Sequence, residues 1–181
     1  MSARDWLIAG GLYVAAAAAM AAQPSVPVER VAIEDGDTLL VQVAGVDYRI
    51  QLPEIDAPEN VMNPKLQRDV ARTGMTAEDL LPLGQQAAEA LRDMLSSFQP
   101  YHLAFDPAVK DRYGRTPGDL LDRDGTTLSL RLVEAGYALP SHPAATREPA
   151  LTAAADAARA DARGLWGWRP DLMRAWAAPA R

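Results

Sequence analysis

Three acidic side chains, Asp37, Asp56 and Glu59, lie where one hairpin could bring them together. Asp35-Gly36 is a strong tight-turn dipeptide, because glycine accepts a positive φ. The strand-forming run Thr38-Leu39-Leu40-Val41-Gln42-Val43 follows it. The next run, Asp47-Tyr48-Arg49-Ile50-Gln51-Leu52, alternates with period two. That pattern turns Tyr48, Ile50 and Leu52 toward a core and Asp47, Arg49 and Gln51 outward. Joined through Ala44-Gly45-Val46, the two runs make a hairpin. It is expected to place Asp37, at the start of one strand, near Asp56 and Glu59, just past the end of the other. Converging carboxylates repel one another unless a cation sits among them or their pKa values shift. Oxygen ligands without His or Cys suit calcium or magnesium. Taken alone, each stretch reads equally as a plain turn or a polar loop. A third stretch, Asp111-Arg112-Tyr113-Gly114-Arg115, adds two guanidinium groups and an aromatic ring.

Together these stretches resemble the staphylococcal nuclease-like (thermonuclease) family. The resemblance rests on Asp35-Gly36-Asp37-Thr38, Leu52-Pro53-Glu54-Ile55-Asp56-Ala57-Pro58-Glu59, Asp111-Arg112-Tyr113-Gly114-Arg115 and Arg163-Gly164-Leu165-Trp166, in that order. No single motif is decisive, but four in order at compatible spacing are specific. They cover roughly residues 28–167.

The resemblance implies a calcium-dependent hydrolase of DNA or RNA phosphodiesters, with single-stranded nucleic acid as substrate. Asp37 and Asp56 would ligate the calcium ion through their carboxylates and Ala57 through its backbone carbonyl. Glu59 would orient or deprotonate the attacking water. Arg115 would neutralise charge on the phosphorus, and Arg112 and Tyr113 would hold a terminal phosphate. One arginine of the pattern is missing: Gln51 stands in its place. Losing such a donor typically costs ~10²–10³ in rate. Arg49 lies two residues earlier on the same strand face, its Cα roughly 6–7 Å away by strand rise. It is a candidate substitute, or simply an exposed strand arginine. Glu54 adds a negative charge beside the phosphate path, and Tyr137-Ala138-Leu139-Pro140 replaces an aromatic continuation. The alternative is a catalytically inactive nuclease-like module that binds or supports in the cell envelope.

The 181 residues fit one domain, and 49% are hydrophobic. The net charge of −6 argues against tight, non-specific capture of long nucleic acid. There are no cysteines, which excludes disulfides and thiolate chemistry. His102 and His142 belong to no ligand or triad pattern. Residues 1–22 read as a signal peptide, or as an uncleaved N-terminal anchor. An arginine precedes an uncharged run that ends at Ala19-Met20-Ala21. Export to the periplasm or medium is therefore expected, with a monomeric domain over 26–168 and a tail over 169–181.

Strands are expected over 26–33, 38–43, 47–52, 101–105 and around 119–122, and helices over 84–98, 128–134 and 149–163. Residues 60–83 read as a long surface loop with some helix near Thr76, whose spacing to Asp79 is a capping signature. Three strands, a helix, two strands and terminal helices suit a five-stranded OB-type Greek-key barrel flanked by about three helices, an α+β fold.

Overall fold

The computed structural model describes residues 25–141 and 148–178. The expected export segment over 1–22 and His142 lie outside the described residues. Among the described residues, no helix is long and apolar enough to cross a membrane.

The expected first strand is two. Strand β1 (Ser25–Pro27) pairs with β6 (His102–Phe105), and β2 (Arg30–Ile33) pairs with β3 (Thr38–Val43). Pro27 has no N–H and ends β1. Val28 then donates its N–H to the Tyr101 carbonyl, while Glu29 donates to Gln42 on the opposite side. Strand β3 pairs with β4 (Val46–Gln51) as the hairpin foreseen in the sequence, with Thr38 opposite Gln51. Strand β4 runs parallel to β7 (Thr116–Leu121), which pairs with β6. The hydrogen-bonded order is β1-β6-β7-β4-β3-β2. The mixed six-stranded sheet is not closed into a barrel by a ladder. Its two edges are instead successive segments of one chain run, bent at Val28-Glu29. Strand β7 starts earlier than expected and includes Pro117. The parallel ladder to β4 covers only Ile50↔Thr116 and Gln51↔Pro117, since Pro117 has no N–H to extend it.

The region read as a loop is largely helical. Helix α1 (Pro64–Thr73) opens with Asn63 as N-cap, whose side chain accepts from the Lys65 and Leu66 amides, and closes at Gly74. Helix α2 (Ala77–Leu95) begins at a capping box of Thr76 and Asp79 and runs through Pro82. A 3₁₀ turn, Ser96–Phe98, follows it. Helices α3 (Leu128–Glu134) and α4 (Pro149–Ala160) lie close to their expected spans. Past Gly164 come a short α5 (Leu165–Trp168) and α6 (Pro170–Ala177), in a stretch for which the sequence suggested no element. A two-stranded pair, β5 (Ile55–Asp56) with β8 (Leu139–Pro140), completes the architecture.

Two cores hold these pieces. Leu39, Ile50, Leu52, Leu103, Leu120 and Leu132 fill the inside of the sheet. Leu66, Leu80, Leu83, Leu165, Met173 and Trp176 bind α1, α2, α5 and α6 into a second cluster beside it. The loop from Asp56 to Asn63 runs between the two.

Candidate active site

The hairpin register delivers Asp37. The Leu52 amide donates to the Asp37 carbonyl (2.8 Å), tying the head of β3 to the end of β4. The buried Asp37 carboxylate accepts from the Ala57 amide at 3.1 Å and from Thr38 Oγ1 at 3.2 Å. Burial, then the nearby carboxylates of Asp35 and Asp56, push its pKa up to about 7, and Lys65 pulls against this rise. Asp56 is held from the other side, because β5 pairs it with Leu139 of β8. The Tyr137–Pro140 departure noted in the sequence is thus the strand that fixes Asp56 in place.

Glu59 is buried against α2. A Cβ on Gly84 would meet the Glu59 carbonyl oxygen at 2.1 Å, so only glycine lets the helix pack this close. One Glu59 oxygen accepts from Asn63 Nδ2. The other pairs with Lys65 Nζ at 3.0 Å.

Lys65 is the functional residue that sequence reasoning missed. Its ammonium lies 2.9 Å from Asp56 Oδ1, 3.0 Å from the Ala57 carbonyl, 3.0 Å from Glu59 and 3.5 Å from Asp69. Burial opposes the charge, but Asp56, Glu59 and Asp69 outweigh it and hold Lys65 above the ordinary lysine value. Two signals in the sequence pointed to it. Lys65 and Asp69 stand four apart behind the Asn63-Pro64 helix start. The chain also has only two lysines, Lys65 and Lys110.

Of the expected calcium ligands, Asp56 and the Ala57 carbonyl meet at the Lys65 ammonium, and Asp37 is hydrogen-bonded to the Ala57 amide beside them. The donor set is all oxygen and fits a hard divalent ion by its chemistry. Among the described residues, no three His, Cys, Asp or Glu side chains converge closely enough to hold a metal by themselves. Asp56 and Glu59 are drawn to Lys65, and Asp37 is turned to Ala57 and Thr38.

The arginine side of the site is assembled from β4 and β7. Thr116 stands opposite Ile50 and Pro117 opposite Gln51, so Arg115 lies one residue before this ladder, level with Arg49. Arg115 Nε donates to Asp111 Oδ2 at 2.8 Å. Against the cost of burial, the Arg115 amide and guanidinium and the Tyr113 amide hold Asp111 below its ordinary value. The Arg112 and Arg115 guanidinium carbons lie 4.8 and 5.4 Å from the centre of the Tyr113 ring, which is 54% exposed. Gln51 turns inward, its Nε2 donating to the Asp37 and Leu52 carbonyls at 3.3 Å each. Arg49 is engaged by both carboxylate oxygens of Glu34, on the exposed face of the hairpin.

Comparison with known proteins gives this arrangement its family. Residues 49–168 match the staphylococcal nuclease homologue family, from the end of the hairpin's second strand through the Asp56–Glu59 loop and Arg115. The chain belongs to the staphylococcal nuclease family. It is similar to endonuclease YhcR of Bacillus subtilis (strain 168), at 32% identity over 148 residues. That match covers 78% of this chain and 11% of the relative. It is also 32% identical over 138 residues to the succinoglycan biosynthesis protein ExoI of Rhizobium meliloti (strain 1021), covering 76% of this chain and 63% of that protein. The chain thus spans less than two thirds of either relative.

Proposed function

We propose that this chain is a calcium-dependent nuclease that hydrolyses phosphodiester bonds of single-stranded DNA or RNA, with a rate limited by Gln51. The observation that carries the reading is the convergence of Asp56, the Ala57 carbonyl and Glu59 on one cation position, with Asp37 hydrogen-bonded to Ala57 beside it. Asp37, Asp56 and the Ala57 carbonyl would hold calcium, which when bound supplies positive charge and Lewis acidity to the scissile phosphate. Glu59 accepts the proton of the attacking water from its buried position. Arg115, aligned by Asp111, donates to the phosphate oxygens as charge grows on them. Arg112 and Tyr113 offer an exposed cationic and aromatic surface for the neighbouring nucleotide. The acidic chain captures substrate weakly and loses it as salt rises. The uncharged run over 6–22 supports action outside the cytoplasm.

A second reading, an inactive nuclease-like binding module, is favoured by one feature. Gln51 uses its amide on two backbone carbonyls and brings no charge to the phosphate side. Cleavage of single-stranded DNA and RNA at low salt, with calcium and with chelator, decides between the two. Calcium-dependent cleavage supports the nuclease. Calcium binding without cleavage in any condition supports the module.

A further inference from the structure

Lys65 makes the contacts of a bound metal ion. Its Nζ is shared by Asp56 Oδ1 at 2.9 Å, the Ala57 carbonyl at 3.0 Å and Glu59 Oε1 at 3.0 Å. The first two are expected calcium ligands, and the third is the expected base. A calcium ion held by these same oxygens at roughly 2.3–2.6 Å would take the place of the ammonium, and two cations this close repel each other.

Helix α1 delivers the lysine there. Asn63 caps α1 and also donates to Glu59, so the start of the helix is tied to the site at two points. Asp69, one turn further on, completes the shell at 3.5 Å. Arg72 fixes Asp69 at 3.0 Å, and Trp176 Nε1 of α6 donates to it at 3.3 Å. The Lys65 ammonium also lies over the Trp176 ring, 5.8 Å from its centre. Among 18 basic residues only two are lysines. A compact ammonium can fill a small oxygen shell that a planar guanidinium cannot. The Lys65 side chain is still 28% exposed, so it has a way out to solvent.

We propose that Lys65 is a built-in counter-cation that sets the metal affinity of this site, and that calcium binds only by displacing its ammonium. This rests on the assignment of Asp37, Asp56 and Ala57 as metal ligands. In the resting chain the lysine neutralises Asp56 and Glu59 and keeps Glu59 from acting as a base. Calcium ejects it, and the same event frees the base, so metal occupancy and base activity switch together.

The test is calorimetric titration of calcium chloride into the natural chain, Lys65→Met and Lys65→Arg, with folding checked by circular dichroism. Removing a unit charge at this distance is expected to tighten calcium binding roughly tenfold or more in Lys65→Met. Lys65→Arg, which keeps the charge but fits the shell less well, gives a smaller tightening than Lys65→Met. A second measurement uses the natural chain alone. Of its two lysine ammonium signals in ¹⁵N NMR, that of Lys65 shifts or vanishes at calcium saturation while that of Lys110 stays. Should Lys65→Met fail to fold, the NMR result decides. Equal or weaker calcium affinity in a folded Lys65→Met, or an unmoved Lys65 signal at saturation, overturns the proposal and leaves the metal site standing. No calcium binding by any of the three chains overturns the proposal and the metal assignment together.

Discussion

Gly84 of helix α2 lies directly on the backbone of Glu59: a Cβ there would sit 2.1 Å from the Glu59 carbonyl oxygen and 2.2 Å from its carbonyl carbon. The helix that builds the second core therefore also sets the depth of the expected base. Gly36 makes a similar approach on the other side, where an added Cβ would meet that of Ala57 at 2.8 Å.

Gly84→Ala forces α2 and the Glu59 loop apart. It is expected to cost ~1–3 kcal/mol of stability, the usual range for overpacking. Cleavage should fall further than stability explains, because Glu59 moves. Chemical denaturation with parallel cleavage rates at a temperature where both chains are folded checks this.

Gln51→Arg returns a guanidinium to the end of β4, opposite Thr38 and beside the start of β7. Cleavage should rise by ~10²-fold, the reciprocal of losing one transition-state donor. The rise should appear in kcat rather than in KM, because the group acts on charge that develops during reaction.

Asp119 is buried at the start of α3, where Oδ1 accepts from the Ser129 amide at 3.2 Å. Burial raises its pKa from the ordinary 3.8 to about 7. Between those values the folded chain holds a proton that the unfolded chain has lost. Its contribution to stability is therefore full below about pH 4, falls as pH rises to about 7 and is flat above that. Asp119→Asn should remove this part of the slope while keeping the acceptor for Ser129. Urea midpoints from pH 4 to 8 for the two chains test it.

The segment after Trp168 is expected to be part of the folding unit. Met173 and Trp176 of α6 are buried with Leu66, Leu80 and Leu83, and Trp176 also holds Asp69. Trp176→Ala should destabilise by ~3–5 kcal/mol, as large aromatic truncations in cores do. A thermal unfolding scan of this variant measures the effect.

Much of the barrel-like half was legible because its signals are local. The Ala44-Gly45 turn and the period-two run from Asp47 to Leu52 define the hairpin, its register and hence the place of Asp37, whereas Gly36 has no positive φ and is glycine because Ala57 packs against it. The break in the first strand was carried by Pro27, whose missing N–H matters only once its neighbours are known. Helix α1 was harder to see, because it buries just Leu66 and Asp69 and its other faces are polar. Its caps, Asn63-Pro64 and Gly74, lie inside the stretch that reads as a surface loop. The ends of α6 and the role of Asp69 depend on contacts across more than a hundred residues, which no local pattern encodes. From the sequence, the carboxylate cluster requires either a cation among its members or shifted pKa values. That the chain supplies one itself, from Lys65, follows only from the packing of α1. Likewise Arg49 was visible as a charge near Gln51, but its partner Glu34 lies on the neighbouring strand's approach, fifteen residues away.

The most direct test of the account is the rate of single-stranded DNA cleavage at low salt in saturating calcium, measured for the natural chain and for Glu59→Ala. If Glu59 is the base, the natural chain cleaves and the variant loses ~10²–10⁴ in rate while remaining folded. Cleavage by Glu59→Ala at the rate of the natural chain would contradict the site assigned here.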